Sequence, residues 1–292
     1  MIIDFRVVPP RREYKSQAEM EEMARMMREG FYKGYARVYR GEATQEEEWR
    51  GSVEGILGGM KEAGVDKAVM QAEHGGIHED YHKLNDAAYR IAKAHPDKFP
   101  VHFMCLNPLV DEDMVKVLEW GVKEKGFKGI CYQAWSVNFS STDSKLWPVY
   151  AKCEELGLIV TIHSSINFSV DRSLYLSHVS HLDKIACDFP ELVLVANHGG
   201  WPWVNEMVAI AWKHANVYIE TGAISPKYIG TPGSGWETLM RYGNTILQDR
   251  VLFATDCMLP HKRCVDELKE LPLKEEVKEK WLGGNAARLL GL

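Results

Sequence analysis

Short runs rich in β-branched and other apolar residues recur along the chain, and between them apolar positions return every three or four residues. Eight runs stand out: IIDFRVV (2–8), DKAVMQAEH (66–74), KFPVHFMCL (98–106), FKGICYQ (127–133), LIVTIHSS (158–165), LVLVANHGG (192–200), VYIETGA (217–223) and VLFATDC (251–257). The intervening segments carry helical periodicity. SVEGILGGMKEAG places Val53, Ile56, Leu57 and Met60 on one face, and EDYHKLNDAAYRIAKAHPDKF does the same with Tyr81, Leu84, Ala88, Ile91 and Ala92. The first stops at Gly and the second just before Pro, as helix ends do. Continuous apolar strands separated by helices predict a parallel sheet covered on its outside. The eightfold alternation favours α/β closure into a single (β/α)8 TIM barrel over residues 1–292, and an open doubly wound sheet would usually have fewer strands.

Residues 9–45 interrupt this rhythm. They carry Met20, Met23 and Met27 at helical spacing, followed by Phe31, Tyr32, Tyr35 and Tyr39. An insertion after a barrel strand emerges at the rim where active sites are built, so this helical segment is expected either to roof the pocket or to pack against the rim or a neighbouring subunit.

Composition narrows the function. The 292 residues are 46% hydrophobic and 26% charged, enough for a sizeable core, and the formal net charge of −6 offers no broad basic face for nucleic acid. A small-molecule substrate is expected instead. The six cysteines form no C-x-x-C pair, which speaks against a zinc ribbon or a disulfide framework and fits a reducing cytoplasm. There is neither a leader pattern nor an apolar stretch long enough to span a bilayer, so no membrane role is expected.

Barrel chemistry comes from the C-terminal ends of strands. Those ends carry Arg6 and Val8; Glu73 and His74; Cys105 and Asn107; Tyr132, Gln133 and Trp135; His163; His198; Glu220 and Thr221; and Asp256. His163 and His198 directly follow buried runs, and with Asp256 they provide either ligands for a borderline cation such as zinc or a proton-transfer set. Glu73 and His74 fall beside the mouth on a Gly-rich loop. Trp201 and Trp203 supply an aromatic wall or simple rim packing. Cys257 should turn toward the barrel–helix layer by alternation.

VTIHSS, LVLVANHGGWPWV, VLFATDCMLP and the terminal LGGNAARLLGL together resemble the amidohydrolase superfamily, specifically its amidohydrolase-related (amidohydrolase 2) branch with the aminocarboxymuconate-semialdehyde decarboxylase-like enzymes. The resemblance spans essentially the whole chain and implies the same barrel. It also implies a homo-oligomer, His163 and Asp256 as ligands of a divalent zinc or manganese ion, Asp256 alternatively as general base, and His198 as the residue that polarises substrate or handles a proton. Where that branch carries two strand-one metal ligands, this chain has Arg6 and Val8. Valine coordinates nothing, and a guanidinium stays protonated and repels a cation.

A standard catalytic zinc therefore needs a replacement ligand from His198, Glu73, His74 or Glu220. Without one, Arg6 is expected to clamp a substrate carboxylate while Asp256 and His198 share the proton work, or else to pair with Asp4 or Asp256 and close the site. Glu73, His74, Trp135 and Trp201 complete the expected substrate contacts. The leading expectation is hydrolysis of a C–O or C–N bond in a small carboxylated or aromatic compound. A decarboxylase or other lyase comes second, and a catalytically silent ligand-binding barrel third.

Overall fold

The computed structural model of the chain describes residues 1–29, 51–73 and 80–292. All eight expected strands form: β1 Ile3–Val7, β2 Lys67–Gln71, β3 Val101–Phe103, β4 Gly129–Tyr132, β5 Ile159–His163, β6 Val193–Asn197, β7 Val217–Glu220 and β8 Val251–Leu252. They pair in parallel, β1 through β3 in one sheet and β4 through β8 in a second. A few backbone hydrogen bonds bridge each seam between the two sheets. Between β3 and β4, the N–H of Met104 donates to Gly129 O (3.0 Å), and between β1 and β8 the N–H of Phe5 donates to Phe253 O (2.9 Å).

The outer layer is helical: α1 Gln17–Glu29, α2 Val53–Ala63, α3 Tyr81–Ala94, α4 Met114–Lys125, α5 Trp147–Glu155, α6 Ser180–Asp188, α7 Val204–Lys213, α8 Glu237–Gly243 and α9 His261–Lys269. Their ends follow local chemistry. Ser52 caps α2 by accepting from the Gly55 N–H (3.0 Å), and Gly64, at φ 69°, ends it in a left-handed turn that a side chain would strain. Asp80 caps α3, which stops before Pro96. No helix among the described residues is long and apolar enough to cross a membrane.

Two apolar layers result. Ile3, Phe5, Val69, Val101, Phe103, Ile159, Val195, Leu252 and Ala254 fill the lower barrel interior, while the larger cluster lies between strands and helices. Cys257 belongs to that outer cluster, as alternation predicts. The first part of the insertion lies beside α3, where Arg90 Nη2 donates to Glu13 O (2.8 Å) and Lys83 approaches Glu19 at 3.8 Å. Met20 is half-buried there, whereas the side chains of Met23 and Met27, and all of Phe31, Tyr32, Tyr35 and Tyr39, lie outside the described residues, so the roof is not tested.

Candidate active site at the barrel mouth

The site begins with an irregularity in β1. Asp4 pairs with Ala68 and Val7 with Met70, so two residues, Phe5 and Arg6, face the single residue Val69 across the ladder. This is the two-against-one count of a β-bulge, which re-aims side chains. Phe5 points into the apolar barrel interior, and Arg6 points inward too rather than out to the helices.

Arg6 is 0% exposed and gathers partners from all round the barrel. Its Nε donates to Asp256 Oδ1 at 2.6 Å, Nη1 to Gln71 Oε1 at 3.1 Å, and Nη2 to Glu73. The Cys131 sulfur lies 3.4 Å from Nη1. With the Asn197 amide oxygen turned toward Arg6, it accepts from Nη1 at 2.6 Å, and the Asn197 amide nitrogen donates to Glu220 Oε2 at 3.2 Å. The opposite amide orientation would set donor against donor. Burial weakens the charged form of Arg6, but Glu73, Cys131, Asp256 and Glu220 outweigh it and hold its pKa well above the usual value.

Supports fix this centre from behind. The backbone N–H groups of Arg6 and Thr255 both donate to Asp4 Oδ1 at 3.0 Å, tying β1 to the segment that carries Asp256. Gln71 Nε2 donates to Phe5 O (2.6 Å), and the Thr161 hydroxyl donates to Gln71 Oε1 (3.1 Å). His198 and Asp256 both sit at positive φ, 67° and 59°, a conformation costly for residues with side chains and concentrated at functional sites. Gly199, at φ 66°, follows His198 where a Cβ would come within 2.5 Å of the Trp236 ring, so the turn that aims His198 requires glycine.

The two imidazoles meet edge to face, ring centroids 4.8 Å apart, and the Trp135 ring lies 5.7 Å from His163, also edge to face. His198 Nδ1 lies 3.1 Å from Gly222 O. A carbonyl only accepts, so Nδ1 carries the proton and Nε2 keeps its lone pair. Among the described residues, His163 Nδ1 is buried without a side-chain or backbone partner within hydrogen-bond geometry. Burial, then the neighbouring Arg6 cation, pushes His198 down to about 3; burial, His198 and Arg6 hold His163 well below its ordinary value. Both rings are neutral at neutral pH.

Glu220 is the residue whose role the sequence reading underestimated. It entered there only as a spare ligand, yet it is completely buried beside Arg6 and accepts from the Gly222 N–H. Burial pushes it up to about 8 against the opposing pull of Arg6. Gln71 and Asn197 were missed altogether. Trp201 spends its indole N–H on Ser234 O (3.2 Å), and its carbonyl accepts from the Ser165 hydroxyl (3.0 Å), so it braces the rim loops. Glu73 is 21% exposed and Asp256 10%, so these two carboxylates face the opening. His74 lies outside the described residues.

These groups give stability a pH signature. The unfolded chain protonates His198 below its ordinary 6.5 while the fold keeps it neutral to about 3, so stability falls on acidification across that window. Glu220 acts in the opposite sense: its contribution is complete below 4.5, the ordinary value, and is lost as pH rises toward 8. Two imidazoles outweigh one carboxyl where the windows overlap, so stability is expected to peak near pH 6.5. Thermal unfolding across roughly pH 4 to 9 checks this, with His198→Gln flattening the acid limb and Glu220→Gln the alkaline one.

Among the described residues the donor set at the mouth does not suit a divalent metal. Asp256 gives an oxygen to Arg6, and a fully buried guanidinium occupies the space between the strand ends. Among the described residues, the one group of three or more His, Cys, Asp or Glu with ligand atoms within 4.8 Å of one another lies elsewhere, at Asp183, Cys187 and His214. His163 and Asp256 thus share a centre without forming a three-ligand site, and a catalytic zinc needs three.

A sequence model of the amidohydrolase family matches residues 10–292. Among solved structures, an uncharacterised TIM-barrel protein (Bb4693) from Bordetella bronchiseptica is 27% identical, with 99% of this chain and 98% of that chain covered and a TM-score of 0.73. The 4-oxalomesaconate hydratase of Rhodopseudomonas palustris is 23% identical, covering 99% and 95%, with a TM-score of 0.65. A 5-carboxyvanillate decarboxylase from Novosphingobium aromaticivorans, with bound manganese, is 17% identical, covering 100% and 97%, with a TM-score of 0.71. No curated protein matches significantly. The chain belongs to the amidohydrolase family.

Proposed function

We propose that this member of the amidohydrolase family is a hydrolase that works without a catalytic metal, cleaving a C–O or C–N bond next to a carbonyl in a small aromatic or carboxylated compound. The observation that carries the reading is the Arg6 guanidinium, 0% exposed and hydrogen-bonded to Asp256 at 2.6 Å. It is a fixed positive charge built into the centre of the mouth. A preorganised charge in a dry site stabilises a developing oxyanion without reorganising at the moment of reaction.

Each residue then has a role. A water molecule held between the Asp256 carboxylate and the Nε2 lone pair of His198 loses a proton to Asp256 as it attacks the carbonyl carbon. An N–H of neutral His163 donates to the carbonyl oxygen as it gains charge. The proton on Asp256 then passes to the leaving oxygen or nitrogen. Trp135, beside His163, suits a planar substrate.

The anion-clamp expectation for Arg6 changes in this setting. Four of its five N–H donors go to Asp256, Glu73, Gln71 and Asn197, so no two-pronged fork is left for a substrate carboxylate. A substrate carboxylate then belongs at the rim, while the carbonyl enters.

Chelator-treated protein assayed on a panel of aryl esters, lactones and anilides is expected to turn over at the rate of untreated protein and to release an acid with an alcohol or amine. Loss of turnover on chelation would sink the metal-free reading. Release of carbon dioxide would replace hydrolysis with decarboxylation, the reaction named for the manganese-containing neighbour.

A further inference from the structure

A second cluster of reactive side chains lies on the outer helices. Asp183 and Cys187 are four residues apart on α6, hence on one face, and His214 follows the last residue of α7. Their ligand atoms all fall within 4.8 Å of one another. His214 Nε2 is 2.7 Å from Asp183 Oδ1 and 4.0 Å from Cys187 Sγ. Of the six cysteines, five are buried and Cys187 is exposed. Because α6 leads into β6 and α7 into β7, the cluster sits at the N-terminal ends of those strands. That is the end of the barrel opposite His163 and His198.

We propose that Asp183, Cys187 and His214 form a zinc(II) site that clips α6 to α7, with a solvent molecule as fourth ligand. The donor set selects the metal. One thiolate, one imidazole and one carboxylate suit zinc, whereas magnesium and calcium take oxygen alone. Bonds of about 2.0–2.3 Å in a tetrahedron set ligand atoms roughly 3.3–3.6 Å apart. The present separations of 2.7 and 4.0 Å bracket that range, so side-chain rotations suffice.

Lys213 is the competitor. Its Nζ donates to Asp183 Oδ1 at 2.7 Å and lies 3.7 Å from Cys187 Sγ, holding a positive charge where the ion would sit. Its side chain is exposed, so it can swing into solvent. On binding, the Cys187 thiol gives its proton to solvent, and the His214 ring moves its proton from Nε2 to Nδ1. One proton is released per ion.

Titration of the purified, metal-stripped full chain with zinc chloride tests the site. The expected result is one zinc whose affinity falls about tenfold or more in both Cys187→Ser and Asp183→Asn, and rises severalfold in Lys213→Met. Zinc should also slow alkylation of Cys187 by iodoacetamide and raise the melting temperature of the wild type but not of Cys187→Ser. No zinc uptake, or an alkylation rate that zinc leaves unchanged, would overturn the proposal. Equal affinity in Cys187→Ser would overturn it too, since the ion would then sit elsewhere, as in the barrel.

Discussion

Replacing Arg6 with methionine is expected to destabilise the fold by about 3–5 kcal/mol, the cost of stripping the partner from buried charge. Methionine roughly fills the volume but removes the buried cation that, among the described residues, Asp256, Glu73 and Glu220 share. Each carboxylate must then take up a proton or leave the interior, so the loss should grow as pH rises. Arg6→Lys should recover part of the stability and little activity, because one ammonium cannot serve partners on β2, on β6 and after β8 in the fork geometry of a guanidinium. Urea unfolding of the three proteins decides this. A methionine variant with the wild-type midpoint would mean that the guanidinium is not the electrostatic keystone of the mouth.

The sequence made the strands legible because a parallel barrel buries them on both faces, leaving apolar runs too short for buried helices and rich in β-branched residues. It also placed His163, His198 and Asp256 at the mouth, since a polar residue directly after such a run has little choice but the rim. The bulge at Phe5 and Arg6 was not legible: no glycine or proline marks it, and it appears only as two residues against Val69 on the neighbouring strand. Of the two readings of Arg6, a substrate clamp or a partner of Asp4 or Asp256, the pairing with Asp256 forms. Gln71 and Asn197, which take further donors, are amides inside apolar strands, where single-chain patterning treats them as interruptions. Glu220 could have been promoted from the spare-ligand list by alternation alone. Two positions from the strand-seven Tyr218, with Ile219 turned into the outer core, it shares the inward face of β7.

Asp256→Asn is expected to lower kcat by roughly 10²–10⁴-fold, the range for loss of a general base, with KM little changed. The substitution isolates chemistry from structure for two reasons. Asparagine tolerates positive φ better than most residues, so the 59° backbone at this position is kept. Its amide oxygen can still accept from Arg6 Nε in place of Asp256 Oδ1, so the guanidinium remains held, although by a neutral partner. The stability loss should therefore be smaller than in Arg6→Met, while the activity loss is as large or larger. That ordering distinguishes a proton acceptor from a mere counter-ion: a counter-ion would lose stability and activity together. His198→Gln should cost less in kcat than Asp256→Asn, because the ring orients the water while the carboxylate takes its proton. If Asp256→Asn turns over within about tenfold of wild type, the base lies elsewhere. Glu220 then becomes the candidate, and the acid limb of kcat/KM should move toward its raised value of about 8.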